Sequence, residues 1–199
     1  APASGIGDLP PVLPPVRLEH AQILAPDDIP RVGALGVLAS MQPTHCTSDM
    51  PWAPDRLGER RLPGAYAWRS MVEAGAVFAA GSDFPIEPPD PLFGIYAAVA
   101  RRGRDGIPAE GWSPDQRLTR EEALLAFTAA PAYACGDLHR RGTLTAGKDA
   151  DLVVWDRDLL ACPQEDLLRA RARLTVTGGR VTWRDPDMPQ GAPPAEGAR

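Results

Sequence analysis

The sequence predicts an α/β fold built on a parallel sheet, and two features predict it. Between residues 16 and 102, short apolar runs alternate with helix-patterned segments in the order strand, helix, strand, helix, strand, helix. Each apolar run is also followed by polar residues capable of chemistry: Glu19 and His20, Thr44 and His45, Ser82 and Asp83. In a parallel sheet the ends of successive strands lie on one side, so these three pairs are expected to converge on one rim.

Residues 1–15 contain Pro10, Pro11, Pro14 and Pro15, which remove backbone donors and favour extended chain, so this stretch is expected to be a linker or disordered arm. Residues 16–21 read as a buried strand. Pro26, Asp27 and Asp28 open a helix that runs to about Leu35 and is stopped by Gly36, the two acids suiting a helix N-terminus. Residues 37–41 form the next strand, and Gln42, Pro43, Thr44, His45 and Cys46 are expected to be the loop leaving it. Residues 65–74 read as helix with Gly75 as its C-terminal stop, and residues 77–80 as a third strand broken by Gly81. A helix over 91–102 places Leu92, Ile95, Tyr96 and Val99 on one face.

Thr119 and Glu122 form a capping box, each satisfying a backbone N–H of the other's turn, and the helix they open is expected to reach Ala134, with Gly136 ending it. The pattern then changes. Residues 151–155, 174–177 and 180–183 are short strands, the last two joined by the turn signal Gly178-Gly179. Alternation along the first of them puts Val153 and Trp155 on one face and Leu152 and Val154 on the other. This divides the chain into residues 16–141, an antiparallel unit over 142–184, and a loose tail over 185–199 rich in Pro, Gly and Ala.

Composition narrows the function. With 199 residues the chain is shorter than the roughly 250 of a complete (β/α)8 barrel. A net charge of -5 excludes the basic footprint of a nucleic-acid binder. Cys46, Cys135 and Cys162 have neither metal-site nor disulfide spacing and are expected to be free thiols in a reducing compartment. No apolar stretch suits a signal peptide or a membrane span, so the expectation is a cytoplasmic protein. Imidazole and carboxylate on one rim are the ligand types of a zinc-like divalent ion. Taken singly, His20 could be a core histidine, His45 a solvated loop residue and Asp83 a turn residue; their convergence is what carries the argument.

The runs Arg17-Leu18-Glu19-His20-Ala21-Gln22, Met41-Gln42-Pro43-Thr44-His45 and Gly81-Ser82-Asp83-Phe84-Pro85 closely resemble, in that order, motifs of the amidohydrolase superfamily, specifically its family 3 or YtcJ-like branch. The resemblance continues through Asp90-Pro91-Leu92, Glu122-Ala123-Leu124, Phe127-Thr128, Gly142-Thr143-Leu144 and the run from Gly147 to Val154. It implies a partial (β/α)8 TIM-type barrel, strands 6 to 8, joined to C-terminal strands of a small β-sandwich. It also implies a metal-dependent hydrolase of carbon-nitrogen bonds other than peptide bonds, acting on amide-like or formamide-like small molecules, or a deaminase. By that resemblance His20 and Asp83 look like metal ligands, with zinc or another divalent ion, Asp83 also like the catalytic proton carrier, and His45 like a substrate-binding residue set further out on the rim.

The departures from the family pattern matter equally. The family supplies a His-x-His pair after the first strand, a lysine or other bridging ligand after the fourth and a histidine after the fifth, and none is present. The run Ser4-Gly5-Ile6-Gly7-Asp8 echoes the fifth-strand motif with Ser4 where the histidine should stand. The third histidine, His139, beside Arg140 and Arg141, reads as a surface residue. The expectation is therefore a C-terminal portion of such an enzyme, inactive alone, whose barrel is completed by a missing N-terminal part or by oligomerisation. The competing reading is a non-catalytic remnant or interaction protein on the same half-barrel. A cysteine hydrolase using Cys46 is disfavoured, because His45 and Cys46, if extended, point to opposite faces.

Overall fold

The computed structural model describes residues 15–188; the linker expected over 1–15, apart from Pro15, the Ser4–Asp8 echo and the tail beyond Met188 lie outside them. Strands β1 (Arg17–Glu19), β2 (Leu38–Met41) and β3 (Phe78–Ala80) form one sheet in the order β1-β2-β3. Both pairings are parallel, with Leu18 opposite Ala39 and Ser40 opposite Ala79. Helices α1 (Ile29–Ala34), α2 (Pro43–Asp49), α3 (Ala53–Leu57) and α4 (Trp68–Glu73) lie on the connections between them, and α5 (Pro91–Ala100), α6 (Arg120–Phe127) and α7 (Ala129–Ala134) follow β3. All three strand ends thus face one side, as the alternation requires.

Five local features differ from the pattern read in the sequence. The first strand, read as buried over 16–21, spans only Arg17–Glu19 and is exposed along its length, since it is an edge of its sheet among the described residues. The stretch after β2 is not a loop: Pro43 takes the first position of α2, where its fixed φ suits a helix start and its missing N–H costs nothing. Pro43, Thr44, His45 and Cys46 are all buried. The helix expected over 65–74 begins only at Trp68, because Tyr66 adopts a left-handed φ of 48°. The helix expected to reach Ala134 breaks at Thr128, whose φ of -129° and ψ of -81° are not helical. Pro131 is the cause, since an uninterrupted helix would drive its ring into the Phe127 carbonyl. Finally, α5 is buried almost all round, at Leu92 and from Gly94 to Ala100, and not on one face, because it is packed by α2, α6 and the 3-10 turn Gln164–Arg169.

The capping box at Thr119 forms as expected, and it is reinforced by a bidentate ion pair. Arg69 donates from Nη1 and Nη2 to the two Glu122 oxygens at 2.9 and 2.5 Å. Burial opposes the Glu122 charge, but the bonds from Arg69 and Thr119 outweigh it and hold the carboxyl below its ordinary range. Glu122→Gln is expected to lower stability at neutral pH by about 1 to 2 kcal/mol. A depressed carboxyl pKa contributes stability that is fully present above the unfolded value of 4.5 and lost as pH falls through the folded one, so the deficit should shrink on acidification. Urea titrations at neutral and acid pH check this.

Strands β4 (Leu152–Trp155), β5 (Ala172–Thr177) and β6 (Arg180–Arg184) make a separate antiparallel sheet in the order β4-β5-β6. A bulge between Val154 and Trp155 interrupts the expected alternation, so Leu152 and Trp155 are half-buried while Val153 and Val154 are exposed. The start of the expected tail is anchored, with Arg173 Nη1 donating to Asp185 Oδ2 at 2.6 Å.

Candidate metal centre

His20 directly follows β1, Asp83 comes three residues after the end of β3, past Gly81 and Ser82, and His45 occupies the first turn of α2 just beyond β2. The parallel register brings all three together. The His20 and His45 rings stack with centroids 6.0 Å apart and planes 21° apart. His45 Nε2 lies 4.0 Å from Asp83 Oδ2, and one ligand-type atom from each of the three residues falls within 4.8 Å of the others. His45 was expected further out; the helix that replaced the loop turns it inward to the same span.

The environment of each side chain differs. His20 and Asp83 are exposed, whereas His45 is 8% exposed and its buried Nε2 has no hydrogen-bond partner. His20 Nδ1 lies 2.9 Å from Gln42 Oε1. With the amide oxygen accepting, Nδ1 carries the proton and Nε2 presents its lone pair, the tautomer a metal ligand needs. Two ligands bound at about 2.0 to 2.2 Å in a tetrahedron stand about 3.4 Å apart, so the observed spacing needs only a small contraction to close on an ion. Two imidazoles and a carboxylate, one imidazole nitrogen being buried and unpartnered, therefore fit a zinc-like divalent cation.

The backbone at this rim is also unusual. Among the described residues His20, Ala21, Tyr66, Asp83, Arg101 and Ser113 are the non-glycine residues with positive φ, His20 at 67° and Asp83 at 55°. Such conformations cost about 1 to 3 kcal/mol each and persist where the surroundings over-determine them, which is common at functional sites. The sequence signals them only weakly, in that His and Asp adopt positive φ more readily than most side chains. Sequence reading also missed Gln42 as the partner of His20, although it lies in one of the motif runs.

The remaining candidates sort clearly. Cys46 is fully buried and burial pushes its thiol up to about 12, so it offers no thiolate and the cysteine-hydrolase alternative fails. All three cysteines are free. His139 is exposed and its Nδ1 lies 3.1 Å from the Gly136 carbonyl, away from the rim. No helix among the described residues is long and apolar enough to cross a membrane.

The chain is thus an α/β protein with two histidines and an aspartate gathered at the C-terminal rim of a parallel sheet, donor types that could hold a metal ion. Residues 6–183 match the sequence model of the amidohydrolase family, and the chain belongs to that family. It is 34% identical over 167 residues to YtcJ of Bacillus subtilis (strain 168), whose name assigns it to the amidohydrolases, covering 84% of this chain and 32% of that protein. It is 32% identical over 173 residues to the N-substituted formamide deformylase of Arthrobacter pascens, covering 84% of this chain and 31% of that enzyme. The crystal structure of an uncharacterized metal-dependent hydrolase from Pyrococcus horikoshii OT3 superposes with a TM-score of 0.67 at 33% identity, covering 75% of this chain and 30% of that one. The chain spans about a third of the length of these relatives.

Proposed function

We propose that this chain supplies part of the active site of a metal-dependent hydrolase that cleaves carbon-nitrogen bonds, other than peptide bonds, in small amide-like or formamide-like molecules. The observation that carries the reading is the gathering of His20, His45 and Asp83 donor atoms within 4.8 Å at the strand ends. In this reading β1, β2 and β3 are strands 6 to 8 of a (β/α)8 barrel, and β4 to β6 contribute to a small β-sandwich. The exposure of Val16, just before β1, and of Leu18 within it fits a sheet edge that further β/α units cover, from a longer chain or a second copy. Similarity to a formamide deformylase supports the choice of substrate class.

His20, through Nε2, and Asp83 would hold the cation, and the histidine and carboxylate donors favour zinc. When bound, such an ion supplies Lewis acidity that polarises a carbonyl and makes a neighbouring water more acidic. The chain's own residues do the rest. Asp83 accepts a proton from the water as its oxygen bonds to the carbonyl carbon, and it returns that proton to the nitrogen as the carbon-nitrogen bond breaks. Products are a carboxylic acid and an amine, so atoms and charge balance. His45, buried and with its Nε2 otherwise unpartnered, is placed to donate from Nε2–H to the substrate's carbonyl oxygen and to hold the charge that develops there. Titration calorimetry with zinc tests the site: His20→Ala and Asp83→Ala should each abolish uptake of one equivalent by the chain, while His139→Ala leaves it intact. Equal uptake by all of them overturns the assignment.

A further inference from the structure

The loop that carries His20 and the helix that carries His45 are joined by a polar triangle that the hydrolytic scheme does not use. Gln22 Nε2 donates to Tyr66 Oη at 2.5 Å and lies 3.2 Å from Asp49 Oδ2, and Tyr66 Oη donates to the same Asp49 oxygen at 2.5 Å. Gln22 stands two residues beyond His20. Asp49 stands four beyond His45, one turn along α2 on the same side of the helix.

Tyr66, at the apex, is itself held rigidly. It is 1% exposed with a left-handed φ of 48°. Its N–H donates to the Gln22 carbonyl at 2.7 Å, and its carbonyl accepts from Arg101 Nη1 at 2.9 Å. Next to it Ile23 and Ala65 form an antiparallel bridge, and Leu24 N–H donates to the Gly64 carbonyl at 3.0 Å. Burial, and then the bond to Asp49, drive the phenol far above its ordinary range, so it remains a donor at any ordinary pH. At the other end of α2, Gln42 grips His20 itself.

We infer that Gln22, Tyr66 and Asp49 are positioning residues for the rim: their triangle locks the His20 loop onto one turn of α2 and so sets the separation and tilt of the His20 and His45 rings. The physical need is plain. Helix α2 has seven residues, too few to be stable by itself, and the loop contains two successive residues, His20 and Ala21, at positive φ that would relax if released. The inference rests on His20 and His45 being the site residues proposed above.

Long-range 1H–15N spectra of the imidazole nitrogens in the 15N-labelled full chain, without added metal, test it. Tyr66→Phe and Gln22→Ala should each shift the His20 and His45 ring resonances and leave His139 where it is. If both variants are folded and the His20 and His45 resonances do not move, the positioning role is wrong. Should Tyr66→Phe fail to fold, Gln22→Ala decides alone, because Gln22 is only half-buried and its loss leaves the Tyr66–Asp49 bond in place. Zinc affinity should also fall about 10- to 100-fold in both variants. A wild-type chain that takes up no zinc overturns the metal reading, and the ring comparison still decides the positioning role.

Discussion

Arg101→Ala is expected to destabilise the chain by about 3 to 5 kcal/mol, read from urea unfolding followed by tryptophan fluorescence. Arg101 ends α5 in a left-handed conformation and is 0% exposed. Its guanidinium lies 4.5 Å from the Trp68 ring centroid and 5.3 Å from that of Trp112, with Tyr66 packed edge-on against both indoles. Nε donates to the Trp112 carbonyl at 2.5 Å and Nη1 to the Tyr66 carbonyl, while Nη2 has no partner. Among the described residues no carboxylate forms an ion pair with it, and burial depresses its pKa.

Two terms oppose each other in that substitution. Removing the side chain relieves the cost of a buried cation, but it takes the donor from the Trp112 carbonyl and leaves the Tyr66 carbonyl with the Trp68 N–H alone, at about 1 to 3 kcal/mol, forfeits desolvated cation–π contacts worth about 2, and opens a cavity. The losses win. Arg101→Lys should recover little, because an ammonium cannot reach both carbonyls and stack between two indoles at once. A loss under about 1 kcal/mol for Arg101→Ala would show that the neighbouring backbone finds other partners.

The second large effect is on catalysis. The chain supplied with zinc, manganese or cobalt is expected to give no appreciable hydrolysis of N-formyl and N-acyl substrates. A water becomes an effective nucleophile at neutral pH when a firmly held metal lowers its pKa toward about 7. The two side chains proposed to hold it, His20 and Asp83, are both exposed and hold it loosely. The sequence has three histidines and no His-x-His pair to add to them. Asp83 as a general base supplies only about 10² to 10⁴-fold, far short of what stable amides need. Turnover that disappears in Asp83→Asn would instead mean that the residues of this chain, or of a second copy, complete the site.

What the sequence made legible follows from physical range. Strand-helix alternation is local periodicity, so β1, β2, β3 and the convergence of His20, His45 and Asp83 could be read from it. The capping box and the Gly178-Gly179 hairpin are likewise contained in a few residues. Helix α2 was hidden because Pro43 and Thr44 suit a turn as well as a helix start, and that hid how far inward His45 is carried. The positive φ of Tyr66 is not announced by its residue type, and that of His20 and Asp83 only weakly, since His and Asp are merely enriched there. The bridges from Gln22 to Tyr66 and from Arg69 to Glu122 span 44 and 53 residues, beyond any local pattern.

The most direct test of the account is paramagnetic mapping of manganese on the 15N-labelled chain. The amides of residues 19–22, 43–46 and 81–84 should broaden together at substoichiometric manganese, and the broadening should vanish in His20→Ala and in Asp83→Ala. Broadening centred on other acidic residues, such as Glu59 or Asp115, with the rim amides unaffected, would contradict the claim that His20 and Asp83 hold a metal beside His45.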